Sequence, residues 1–393
     1  MDIIQQGILT LIKSAVLGRT LKLPEGFSLD EAFTLIAEHR VISMAYTGAV
    51  NCGIPRSLPI MQKMLFYSGK LIMISESQMQ AVEAVTEAFV KNGIYYMPVK
   101  GCIMKTRYPT PALRYMGDAD ILIRKEQYDK ISQIMEKLGF SVEEECDHVF
   151  VWRSRKLLLE LHVKLIPSSE HLLYEYLGDG WRLAKEKNGY CYSMTKEDEF
   201  IFLFIHFVKH YRDSGIGCRH VVDLWIMDRL FDENSRAYIK RELKKMHLDI
   251  FYENMVRVIK NWFEDGESDI ITEHITQFIF SCGNWGQAKT QALARQMLTV
   301  DTDDPKKMSR KLLLKDVFPP RDRIKGEYPI LEKIPFVLPF VWIWRISKTV
   351  LFKRDSVRRS LKRASLLNEE AVNDFRQNLK IVGLEPNTKA DFK

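Results

Sequence analysis

The first ninety or so residues repeat apolar positions at helical spacing. Met1–Gly18 alternates apolar and polar groups as an amphipathic helix does, and Ser28 stands as an N-cap before Leu29-Asp30-Glu31. Phe33, Ile36, Val41, Met44 and Ala45 then predict a helix over Glu31–Val50. Pro55 and Pro59 interrupt it. From Ile60 to Asn92 the stripe Leu65, Ile72, Ile74, Met79, Val82, Val85, Phe89 predicts one long helix, or two with a kink near Gly69, stopped at Asn92-Gly93.

The period changes at Ile94. Short β-prone runs at 94–99, 120–124, 140–145, 149–153 and 157–165 read as strands. Helices are expected at Cys102–Tyr108 and Lys125–Leu138. After Pro167 the helical period returns at Glu197–His210, Cys218–Leu230, Tyr252–Phe263 and Ile271–Phe280. The proline-marked stretch 301–330 reads as a linker or wrap. The expectation is an α+β fold: a small mixed-sheet domain at 94–166, a helical region at 1–93 before it, a helical domain at 167–300 after it, and a wrap with basic helices at 301–393.

With 393 residues, 46% hydrophobic and 28% charged, the chain suits a globular protein of several domains rather than a disordered one. Its net charge of +7 is concentrated. Between Trp344 and Arg363 stand Arg345, Lys348, Lys353, Arg354, Arg358, Arg359, Lys362 and Arg363 against the single acid Asp355. So local a patch makes no strong case for nucleic acid. Aromatic and apolar Ile334–Phe352 precedes most of it. Residues 334–363 therefore suit either peripheral contact with an anionic membrane or a helix packed on the core with a solvated tail. The six cysteines are scattered without a CxxC pair, as expected of free thiols in the cytoplasm. No basic leader precedes the apolar N-terminus, and no run is long enough to span a bilayer.

The chemistry gathers in 95–164. Alternation along a strand puts Asp118 and Asp120 on one face and Ala119 and Ile121 on the other. In Leu158-Leu159-Glu160-Leu161-His162 it pairs Glu160 with His162. If the two strands are neighbours, three carboxylates converge, which is costly unless a cation neutralises them. Hard oxygen ligands favour Mg²⁺ or Mn²⁺. Lys100-Gly101, between a strand end and a helix start, suits an anion, and Arg114 suits triphosphate oxygens or the carboxylates themselves. His206 and His210 share a helix face, and Arg219 follows a glycine turn. They read as groups lining a cleft, with an Arg219–Asp223 helix pair as the plainer reading of Arg219.

The run VKGCIMKTRYPTPALRYMGDADILI, then KLGF, then LELHVKL, resembles the uncharacterised nucleotidyltransferase family of the DNA-polymerase-beta-like superfamily. The likeness centres on residues 94–165. It implies an enzyme that moves a nucleoside monophosphate from a triphosphate to a hydroxyl or similar acceptor. By position, Asp118 and Asp120 would be paired metal ligands, Glu160 the third carboxylate beside the acceptor, and Gly101 the glycine of the phosphate turn. Lys100, Gly101, Arg114, His162, His206, His210 and Arg219 are the candidate nucleotide contacts. The usual Gly-Ser of the superfamily is Gly101-Cys102 here. The acceptor is not defined by the resemblance. Two rivals remain open at this point: an inactive nucleotide-binding or scaffold protein on the same fold, and a recruiting module acting at a membrane through the basic tail.

Overall fold

A computed structural model describes residues 1–146, 148–168, 170–213, 215–283, 317–319, 321–324, 328, 330–352 and 377–384. Helix α1 (Ile3–Leu17) begins at a capping box between Asp2 and Gln5 and ends at left-handed Gly18. Ser28 caps α2 (Leu29–Glu38) by accepting from the Glu31 amide. The single helix expected over Glu31–Val50 is in fact two. The chain turns at His39-Arg40, where Arg40 takes φ 58°, and restarts as α3 (Ile42–Asn51). No glycine or proline marks this break, so local sequence hides it. α1 and α3 cross closely because Gly48 has no side chain; a Cβ there would lie 1.9 Å from the Leu11 carbonyl oxygen. α4 (Pro59–Lys91) is one continuous helix of 33 residues.

Seven strands form one mixed sheet in the order β3-β4-β5-β2-β1-β7-β6. They are β1 (Tyr96–Val99), β2 (Ala119–Ile123), β3 (Ser141–Glu145), β4 (Val149–Arg153), β5 (Leu158–His162), β6 (Lys185–Asn188) and β7 (Cys191–Ser193). α5 (Gly101–Arg107) follows β1, and α6 (Tyr128–Lys137) follows β2. β6 and β7 were not expected from sequence. Lys185-Glu-Lys-Asn is polar and exposed, with no alternating apolar face, yet it pairs with β7, which runs parallel to β1. The sheet therefore draws on residues beyond 166.

The register matters most at the centre. β2 lies parallel to β5 with Asp120 opposite Glu160 and Leu122 opposite His162. β1 lies antiparallel to β2 with Val99 opposite Asp120. Alternation then sorts the faces. Ala119, Ile121, Ile123, Leu159, Leu161 and Val163 join a core beneath the sheet with Val82, Val85 and Phe89 of α4. Met97, Val99 and Leu122 face a second, larger core built mostly of helices.

That larger core includes α7 (His171–Leu177), α8 (Lys196–Asp213), α9 (Cys218–Asp228), α10 (Glu233–Lys245), α11 (Asp249–Phe263) and α12 (Ile270–Cys282). Phe200, Phe204, Phe207, Tyr211 and Phe251 stack through it. His39 joins three segments there. Its Nδ1 accepts from the Cys218 amide at 3.0 Å, which leaves Nε2–H to donate to the Phe280 carbonyl at 3.3 Å. Burial keeps this ring neutral and lowers its pKa to about 4.

Near the C-terminal end, Ile324, Leu331 and Val341 form a small separate core. Phe336, Phe340, Ile343 and Trp344 are exposed on its outside. Among the described residues no helix is long and apolar enough to cross a membrane. Residues 301–316 of the expected wrap, and Lys353–Arg363 of the basic cluster, lie outside the described residues.

Candidate active site

The site face of the sheet carries Asp120 from β2 and Glu160 and His162 from β5. One ligand-capable atom from each lies within 4.8 Å of the others. Asp120 is 2% exposed, and two donors converge on its Oδ1: Lys100 Nζ at 2.6 Å and His162 Nε2 at 2.9 Å. His162 Nε2 also lies 3.3 Å from Glu160 Oε2. The other ring nitrogen, Nδ1, is buried with no partner among the described residues. A neutral ring therefore keeps its proton on Nε2 and donates it to the carboxylates. A histidine that binds metal through Nε2 normally donates its second N–H to an acceptor. His162 has none, so it is better suited to orienting Asp120 than to ligating a metal itself.

Asp118 precedes β2 and is half-buried. It falls outside the tight group of three but feels it. Burial, followed by the charges of Asp120 and Glu160, raises its pKa to about 6, against a smaller opposing effect of Lys100. Asp120 responds in the other direction. Burial alone would raise its pKa, but Lys100 and His162 outweigh burial and hold the carboxyl well below its usual range. Burial opposes the charge on Lys100 too, yet Asp120, Glu160 and Asp118 raise its pKa above the ordinary lysine value. Three carboxylates thus share one ammonium. Hard donors crowded with negative charge, Asp120 and Glu160 with Asp118 beside them, suit a divalent ion.

Lys100 reaches this position at a cost. It is the residue before α5, with φ 47° and ψ −117°, a conformation that is strained for any residue but glycine by about 1–3 kcal/mol. Gly101 follows it, pressed against the loop that bears Asp118. A Cβ on Gly101 would sit 3.3 Å from Arg114 Nη1 and from Met116 Cγ, and 3.4 Å from the Asp118 carbonyl. Cys102, where the superfamily's serine is expected, turns into the core beneath the sheet. Burial, then Asp120, pushes its thiol up to about 12, so it is neutral.

Arg114 spends its hydrogen bonds away from the carboxylate cluster. Its Nε and Nη2 each donate at 2.9 Å to the two oxygens of Asp223 on α9. Tyr108 adds its hydroxyl to Asp223 Oδ1 at 2.7 Å, and Arg219 Nη1 stands 3.8 Å from Oδ2. Asp223 is 1% exposed. The hydrogen-bonded partner of Arg114 lies far along the chain, where no local signal points to it, and Asp118 adds a smaller charge interaction. The plainer reading of Arg219, a pair with Asp223, is the one the geometry contains. Arg219 Nη2 also meets His220 Nε2 at 2.9 Å.

His206 and His210 lie on α8 with their Nε2 atoms 2.9 Å apart. Burial, then the charge of Lys100, lowers the pKa of both, that of His210 to about 4. Phe202, one turn before His206, lies 6.0 Å from Lys100 Nζ. α8 therefore borders the site at Lys100. Sequence reasoning did not include Phe202, Tyr108 or His220; only the position of His220 next to Arg219 offered a hint.

A family model described as uncharacterised nucleotidyltransferase matches residues 25–264. No curated protein matches significantly in sequence. Among solved structures, the chain is similar to the antibiotic-resistance factor ANT(2'')-Ia in solution, at 13% identity over 46% of this chain and 97% of that one, with a TM-score of 0.34. It is also similar to ANT(2'')-Ia crystallised with adenylyl-2''-tobramycin, at 14% identity over 43% and 99% of the two chains, with a TM-score of 0.32. The family match spans more than half the chain and contains every candidate site residue, and on that ground the protein is a member of the uncharacterised nucleotidyltransferase family.

Proposed function

We propose that this chain transfers a nucleotidyl group from a nucleoside triphosphate to an acceptor hydroxyl or similar nucleophile, breaking the α–β phosphoanhydride bond and releasing pyrophosphate, with a divalent ion held by Asp118, Asp120 and Glu160. The observation that carries this reading is the register of β2 on β5, which sets Asp120 directly against Glu160 on a buried, under-neutralised face. When bound, Mg²⁺ or Mn²⁺ would supply charge neutralisation at the phosphates and lower the pKa of an attacking hydroxyl.

The chain's own residues divide the remaining work. His162 orients Asp120 through its Nε2 hydrogen bond. Glu160, with its side chain 25% exposed, is the most accessible of the group and accepts the acceptor's proton. Lys100 supplies positive charge to the triphosphate. The α8 face of Phe202, His206 and His210, neutral at physiological pH, keeps that border of the site free of further charge. Arg114 holds α9 against the loop before β2 and so positions Asp118 without touching nucleotide.

The test is incubation of the full chain with each α-labelled nucleoside triphosphate, Mg²⁺ or Mn²⁺, and small-molecule, protein and nucleic-acid fractions of a cell extract. Label should move into one fraction, and Asp120→Asn should lower the transfer about 10²–10³-fold. Retention of all label in the triphosphates, with every fraction and both metals, would refute the enzymatic reading and favour the scaffold.

A further inference from the structure

Lys100 holds the position that a metal ion would need. Its Nζ lies 2.6 Å from Asp120 Oδ1, with the two side chains 13% and 3% exposed, and no other cation stands as near that oxygen among the described residues. On Asp120 the ammonium takes the place that a divalent ion would take, but with half the charge. A backbone carbonyl bond ties its main chain into α5, where the Met104 amide donates to the Lys100 carbonyl at 2.9 Å. The anchor is therefore fixed, and only the flexible four-carbon stem needs to move for the head group to leave.

We infer that Lys100 is a built-in competitor of the divalent ion: its ammonium guards Asp120 until a triphosphate offers it another anion. The inference rests on the carboxylate reading of the site. Metal alone must displace a buried ammonium and leave it without a partner, so metal alone binds weakly. Metal arriving with a triphosphate brings phosphate oxygens to which the ammonium can transfer. Binding of the two is then positively coupled, and by linkage the coupling is the same in both directions. The free protein is kept from collecting transition metals on its exchange-competent carboxylates, and the ion enters as part of the metal–nucleotide complex. A merely structural Lys100–Asp120 pair would behave otherwise, because its removal would loosen the site and weaken metal binding.

The experiment is a Mn²⁺ titration of the full chain, followed by the electron paramagnetic resonance of free Mn²⁺, with and without α,β-methylene-ATP. Wild type should bind Mn²⁺ at least about tenfold more tightly with the analogue, within the usual range of such couplings. Lys100→Met should bind Mn²⁺ alone at least about tenfold more tightly than wild type and gain little from the analogue. Lys100→Arg, which keeps the charge, should not bind Mn²⁺ alone more tightly than wild type. Equal or weaker Mn²⁺ binding by Lys100→Met overturns the inference. Should Lys100→Met be unstable without metal, its melting temperature must rise more with Mn²⁺ than that of wild type, and an equal rise also overturns it. Failure of the underlying site reading looks different: none of the three proteins binds Mn²⁺ with or without the analogue, and Asp120→Asn changes nothing.

Discussion

Two buried charge clusters sit in one protein, and they are built to opposite plans. Around Asp223, one carboxylate receives a bidentate guanidinium, a phenol hydroxyl and the approach of a second arginine. Every oxygen has donors, and cation matches or exceeds anion. Around Asp120, three carboxylates have one ammonium in direct contact, a histidine N–H and the more distant charge of Arg219, and one of the acids, Asp118, is raised to about 6 by burial and then by its acidic neighbours. The first cluster is complete without help and fastens the sheet domain to α9. The second is complete only when further positive charge arrives. Balance marks a fastening, and imbalance marks a place for a ligand.

The sharpest way to break that contrast is to cut the balanced cluster. Asp223→Ala strands the Arg114 guanidinium in the interior and should cost about 3–5 kcal/mol of stability, read from urea unfolding. A loss below 1 kcal/mol would mean the pair is no fastening. Next comes the unbalanced cluster. Asp120→Asn should lower turnover about 10²–10³-fold, a loss of about 2.7–4 kcal/mol in transition-state stabilisation, while lowering the urea midpoint of metal-free protein less than Asp223→Ala does, because relief of the repulsion on Asp118 and Glu160 offsets part of the lost Lys100 and His162 bonds. If the midpoint falls as far as it does for Asp223→Ala, the two clusters do the same job and the contrast fails.

A third probe is pH. Asp118 has a folded pKa of about 6 against an ordinary value of 3.8, so its protonated form is the favoured one in the fold. The stability this confers is fully present below pH 3.8 and is lost as pH rises through 6, by on the order of 2–3 kcal/mol. His39 has the opposite slope: with a folded pKa of about 4, its contribution is present above 6.5 and is lost as pH falls through 4. The comparison to make is therefore wild type against Asp118→Asn without metal. The variant should lose the decline between pH 4 and 6 and keep the His39 slope; superimposable curves would remove Asp118 from the crowded group. The smallest effect is expected at Gly101→Ala. Contacts of 3.3–3.4 Å ask the Asp118 loop to yield by a few tenths of an ångström, for about 1 kcal/mol in thermal unfolding.

The same contrast explains what the sequence made legible. Strand alternation and apolar neighbours mark Asp118, Asp120, Glu160 and His162 locally, and the parallel register of β2 on β5 brings the last three together. Asp223 could be tied only to Arg219, four residues away on its own helix. Its principal partner is Arg114, and a bond between segments so far apart leaves no periodic trace. β6 and β7 escaped for a related reason: an exposed polar hairpin has no buried face to reveal it. α10 escaped as well, because its charged surface leaves only a narrow apolar stripe around Ile239 and Leu243. The split at His39-Arg40 is written in a left-handed arginine, a conformation that residue identity does not announce. Fold class and family were readable from the centre of the chain outward; the partnership between the sheet and the helices was not.

α4 has a mechanical corollary. Ile60, Met61 and Met64 at its beginning are embedded in the helical core, and Val82, Val85 and Phe89 near its end are embedded beneath the sheet. Between them the rod crosses with Phe66, Met73 and Ile74 bare to solvent. At 1.5 Å per residue it is about 50 Å long, a single spar bolted into both halves. Swinging one half against the other must flex that spar. A proline placed at Gly69, mid-span, would turn it into a joint and would show how much of the enzyme's geometry depends on stiffness alone.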